Sequence, residues 1–263
     1  MPLRSVSLDQ LKIRDERAFR HIGLYAALKQ LLLDDRFLFR VAEEGSSWQR
    51  VMFLNLTFWN ANEPSDVLED TSIDADVVAH AAWHHATRKA LVKAGAPMTA
   101  DALFLGESVA SAFDLYLVGR TLGHVKPSGK SSGSSFLDTQ VPAMATVAED
   151  AGLSAGAFEA LLRTVAADPE RAFEDLRQLL YDVATTLVTC DGVDAGADAL
   201  RGFSGHRFAA LLHHYEVSNW VLYGRAYARG LTDPDVRAID QALRAAPVSL
   251  DWLEARWLGG TAA

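Results

Sequence analysis

Cysteine is nearly missing: Cys190 is the only one in 263 residues. That excludes an intramolecular disulfide and any cluster of thiolates around a metal. It fits a reducing, cytoplasmic setting. An excess of basic residues is missing too. The net charge is −9, and such a surface repels phosphate backbones, so nucleic acid is not an expected partner. Long apolar runs are absent. The longest strongly apolar stretch, Val51 to Trp59, is interrupted by Asn55 and Thr57 and falls far short of the roughly 20 residues a bilayer requires. No membrane partner is expected. The first residues contain no apolar core of signal-peptide type. There is no Gly-x-Gly-x-x-Gly turn, no complete phosphate loop around Gly129-Lys130-Ser131 and no Gly-x-Ser-x-Gly elbow. No repeat of fixed period is visible.

What is present is alanine, leucine and helical periodicity. Hydrophobic residues make up 49% of the chain and charged residues 22%, an ordinary globular composition. Apolar residues recur at three- and four-residue spacing. The pattern predicts a mostly α, single-domain multi-helix bundle over 1–263, with one or two short strands near the histidine-bearing helix. A first helix is expected over 15–43, interrupted at Asp34-Asp35, with Phe19, Ile22, Ala26, Leu31 and Phe37 facing inward. Further helices are expected from Asp74 or Asp76 to Gly95, from a Thr99 cap over 100–122, and over 138–150, 155–166, 169–189, 205–229 and 233–245, with a short one after Ser249. Phe37–Val41 and Val51–Trp59 are the strand candidates, although the second also suits a buried helix. Lys126–Ser135 is rich in glycine and serine and reads as a flexible surface loop. The charged residues Arg171, Glu174, Asp175 and Arg177 read as a solvated helix face.

The chemistry concentrates in one segment. In Ala79-His80-Ala81-Ala82-Trp83-His84-His85, His80 and His84 stand four apart and project from one helix face, about 6 Å from each other. Two imidazoles at that spacing can share a metal ion. The next helix carries Glu107 and Asp114, seven apart and therefore on one face, in a stripe with Leu103, Ala110 and Leu117. Carboxylates in an apolar stripe are costly to bury unless paired or bound to a cation, and the two histidines are the obvious partners. His85 projects elsewhere, toward solvent.

His-x-x-x-His followed by Gly106-Glu107-Ser108 resembles the gluzincin class of zinc metallopeptidases, which carry His-Glu-x-x-His on one helix and a ligand glutamate on the next. The resemblance covers about 35 residues. It implies zinc held by His80, His84 and Glu107, with Asp114 orienting a histidine ring. It also implies a peptide or small-molecule ligand, of a kind the residues do not specify. The chain departs from the pattern at the general base, where Ala81 replaces glutamate, so ordinary peptide hydrolysis is expected to be weak or absent.

Two rival readings use the same residues. Two histidines and one carboxylate also form the facial triad of non-heme iron oxygenases. A bundle could add Asp76, Glu16, His21, His206, His213, His214 and Glu216 in a mono- or di-iron oxidase or oxygenase. Alternatively, the histidines bond buried carboxylates in a metal-free helical interaction protein.

Overall fold

The computed structural model describes residues 3–42, 67–92, 96–124 and 135–259. The candidate strand Val51–Trp59 and the Gly/Ser loop lie outside them, apart from Ser135.

The chain begins with β structure. Strand β1 (Leu3–Ser7) and β2 (Lys12–Arg14) precede a single turn, α1 (Glu16–Phe19), and helix α2 (Gly23–Asp34). Strand β3 (Leu38–Ala42) follows, then β4 (Val67–Leu68) and β5 (Ser72–Asp74). β1 and β3 pair antiparallel, β3 and β4 parallel, and β2 and β5 parallel with Ile13 opposite Ile73. The segment 15–43 is thus two helices and a strand: α2 ends at the Asp34-Asp35 interruption, and β3 falls on the strand candidate Phe37–Val41. The interruption at Arg20–Ile22 resets the helical phase. Tyr25, Leu28 and Leu32 are buried, whereas Ala26 is exposed and Leu31 and Phe37 are half-buried. Phe19 and Ile22 are fully buried, as their spacing predicts.

The rest is helical. Helix α3 (Ala75–Leu91) leads out of β5, and Asp74 at its start takes both Nε and Nη2 of Arg14, at 2.8 and 2.9 Å. Helix α4 (Ala100–His124) begins at Thr99, whose hydroxyl accepts the Ala102 amide at 3.3 Å. Helices α5 (Ser135–Asp150), α6 (Ala155–Ala167) and α7 (Pro169–Leu187) follow. A helix absent from the sequence reading, α8 (Val193–Arg201), comes next. The helix expected over 205–229 divides into a 3-10 segment, Ala209–Tyr215, and α9 (Val217–Tyr227). Glu216, with φ at 47°, breaks it. Helices α10 (Pro234–Ala245) and α11 (Ser249–Trp257) complete the chain.

Helix α4 is the hub. It packs against α3, α6, α7, α9 and α10. It is long and apolar enough to span a membrane by length and composition, although no uninterrupted apolar run marks it. Yet 89% of its most apolar window is buried inside the protein, so its hydrophobicity is spent on the core. Gly106 permits a close approach to α3: a Cβ there would stand 2.9 Å from Thr87 Cγ2.

The face containing Arg171, Glu174, Asp175 and Arg177 is not uniformly solvated. Arg177 is 0% exposed. It gives Nε and Nη2 to Glu174 at 2.9 and 2.7 Å, and Nη1 to Asp240 at 2.8 Å. Helix α10 supplies Asp240 and covers the pair, so the charges are buried but fully matched. Replacing Arg177 by methionine is expected to cost about 3–5 kcal/mol by leaving Glu174 and Asp240 buried without their cation; urea unfolding measures it. Gly106→Ala is expected to cost about 1–3 kcal/mol, because Thr87 must move and α3 with it; the same titration reads the loss.

Candidate metal centre

Helices α3 and α4 lie against each other and present matching faces. On α3, Asp76, His80 and His84 follow at four-residue intervals, one above the other. On α4, Glu107 and Asp114 share the facing stripe. The sequence spacing therefore places the two rows in register. His84 Nε2 lies 3.7 Å from Glu107 Oε2. His80 Nδ1 lies 3.0 Å from Asp114 Oδ2. The two imidazole centroids are 4.9 Å apart.

One ligand atom each from His80, His84 and Glu107 falls within 4.8 Å of the others. Metal–ligand bonds of about 2.0–2.1 Å set the donors of a tetrahedral zinc site roughly 3.3–3.5 Å apart. The His84–Glu107 separation is already close to this. The donor set of two neutral nitrogens and one carboxylate suits a borderline cation. Nδ1 of His80 is directed at Asp114, the carboxylate–histidine arrangement that orients a ligating ring. Glu107 is 3% exposed, while both histidine side chains keep somewhat over a quarter of their surface.

Burial, and then the neighbouring His80, push the His84 imidazole down to about 3. It is neutral, and so able to ligate, throughout the physiological range. Burial and the nearby Asp114 push the Asp76 carboxyl up to about 6.

The sequence pattern reads Tyr215 as a core residue and not as part of the site, and it is buried at 8% exposure. The structure places it and His214 near Asp114. Burial first, and then Asp114, raise the Tyr215 hydroxyl pKa. Burial lowers the His214 pKa, with Asp114 and Glu216 opposing. A histidine pair at 213–214 must divide between two faces, and it does: His213 is exposed and His214 half-buried. Other candidates for a larger cluster go elsewhere. Glu16 engages Lys29 and Tyr25. His21 stacks on His124 with centroids 4.0 Å apart, and His206 Nδ1 accepts the Phe208 amide. His85, expected in solvent, instead bonds Asp35 at 2.7 Å and is 18% exposed, helping to tie α3 to α2. Ala81 is buried at 6% exposure, and its methyl group offers no proton acceptor.

The titration of Asp76 has a definite sign. Its folded pKa lies above the unfolded value, so the folded state holds its proton longer. Stability is lost as pH rises from about 4 through about 6. Asp76→Asn is expected to stabilise the metal-free protein by about 1–2 kcal/mol at pH 7 and by nothing at pH 3.5. Urea titrations at the two pH values check it. No protein-family profile, curated protein or solved structure matches this chain.

Proposed function

We propose that the chain is a metal-binding protein holding one zinc ion through His80, His84 and Glu107. The observation that carries this reading is the convergence of their three donor atoms within 4.8 Å across the α3–α4 seam. The Asp114 carboxylate supports it by orienting the His80 ring. Bound zinc would supply Lewis acidity toward a water molecule or a carbonyl oxygen. Around it, Glu107 would compensate one positive charge, and His84 would ligate without first losing a proton. Ala81 provides no base at the position where the gluzincin-like pattern requires glutamate, so we assign no ordinary peptidase activity. The ligand class is a small molecule or peptide that reaches the metal. A cytoplasmic setting accords with the single cysteine.

A second reading, a non-heme iron oxidase or oxygenase, has one observation in its favour. The donor set is equally a two-histidine, one-carboxylate triad, with Asp76 and His214 adding polar groups near Asp114.

Elemental analysis of tag-free protein, compared with a His80→Ala/His84→Ala variant, separates the readings. About one zinc per chain, lost in the variant, is the expected result. Iron in its place, with oxygen consumption, favours the second reading. No metal in either protein, even after reconstitution, overturns both and leaves a metal-free helical interaction protein.

A further inference from the structure

Away from the histidines, helices α7 and α10 enclose an open cleft of about 290 Å³. Tyr181, Thr186, Arg237, Gln241 and Arg244 are among its walls, with Asp182 and Asp240. The carboxylates in this wall are already committed. Asp182 accepts both terminal nitrogens of Arg244, at 3.2 and 2.6 Å. Asp240 accepts Arg244 Nε and Arg177 Nη1, each at 2.8 Å.

Arg244 is thereby committed too, but the other donors of the wall are not. Arg237 uses only Nε, which is held at 2.7 Å by Asp101 Oδ2. Asp101 Oδ2 is fixed in turn by the Asp233 amide at 2.8 Å. The two terminal nitrogens of Arg237 make no hydrogen bond among the described residues, and its side chain is half-exposed. The Gln241 amide and the Thr186 hydroxyl likewise have no partner there. Tyr181 is 4% exposed, and its hydroxyl is buried without a hydrogen-bond partner. Burial, followed by Asp101 and Asp240, raises its pKa, so it stays a donor. Buried hydroxyls normally have a partner, so a donor left over beside a polar cleft points to an acceptor from outside.

We propose that the α7–α10 cleft is a binding site for an oxyanion, a small-molecule carboxylate or phosphate, gripped by the terminal nitrogens of Arg237 and by the Tyr181 hydroxyl. The two arginines and two aspartates of the wall sum to zero charge, and both aspartates are occupied; Asp101, behind Arg237, adds one negative charge, and its Oδ1 has no partner among the described residues. The planar guanidinium matches two oxygens of one anionic group. Asp101, by holding Nε, sets the plane in which that fork opens. Gln241 and Thr186 are placed to bond the remainder of the ligand. The site shares no residue with the histidine–glutamate cluster and does not depend on it.

The test uses the full chain carrying ¹³Cζ-tyrosine, with the Tyr181 resonance assigned by Tyr181→Phe. Sodium phosphate and sodium acetate are titrated at constant ionic strength against sodium chloride. A saturable shift of the Tyr181 resonance with phosphate or acetate, and none with chloride, is expected, and the responding anion names the ligand group. The shift should persist in the His80→Ala/His84→Ala variant. It should weaken at least about tenfold in Arg237→Lys, which keeps the charge beside Asp101 but loses the fork. Gln241→Leu, at an exposed position, is the second variant and should weaken binding without threatening the fold. No saturable shift with either anion overturns the proposal. So does a response equal to that of chloride, or one undiminished in both variants.

Discussion

The close contact of α3 with α4 is the constraint on which the candidate centre depends. Histidines at 80 and 84 are only a spacing until a second helix brings acids to the same height. Gly106 allows that approach, because Thr87 occupies the space a side chain would need. One residue further along α4, Glu107 reaches His84, and two turns beyond that Asp114 reaches His80. The seam therefore links a packing requirement to a chemical one. Shape complementarity at Gly106 sets the distance, and the four- and seven-residue periods set the register.

Much of this is legible in the sequence. The periodicities of both helices, the Thr99 cap and the facing of two histidines toward two carboxylates follow from local spacing alone. So does the division of His213 from His214. Of the β elements described, β3 is legible as the strand candidate Phe37–Val41, whereas β1, β2, β4 and β5 are not. β1 and β2 are three to five residues long and sit beside helical patterns, and their partners lie far along the chain. The break at Arg20–Ile22 carries no strong local signal, and a single helical phase across it puts Ala26 inside, where the structure exposes it. Arg177 shows a different limit. Its helix face is rich in charge, which reads as solvated. Only the tertiary placement of Asp240, 63 residues later, turns it into a buried pair. The addition of Tyr215 and His214 near Asp114 is equally non-local.

The structure uses charge in two ways. Around Arg177 every buried charge meets an opposite one, and the group works as a polar joint between α7 and α10. Around Asp114 the balance is different. Asp76 lies near a second carboxylate, and burial adds to the cost of ionising it. Like-charge neighbours in a partly buried place are unfavourable for the apo-protein, and a cation nearby would relieve them. The contrast distinguishes a region arranged for cohesion from one that keeps unresolved electrostatic cost.

The pairing of β2 with β5 bears on how the chain reaches this state. Arg14 grips Asp74 across 60 residues of sequence, and Asp74 is the residue from which α3 departs. Closing a loop of that length is entropically expensive and slow compared with bringing together helices joined by a short connection. The α3–α4 hairpin, with its histidines and Glu107, is built on contacts local in sequence. The strand pairing that anchors its first turn is built on distant ones. The donor cluster and its attachment to the amino-terminal sheet therefore carry different loop-closure costs.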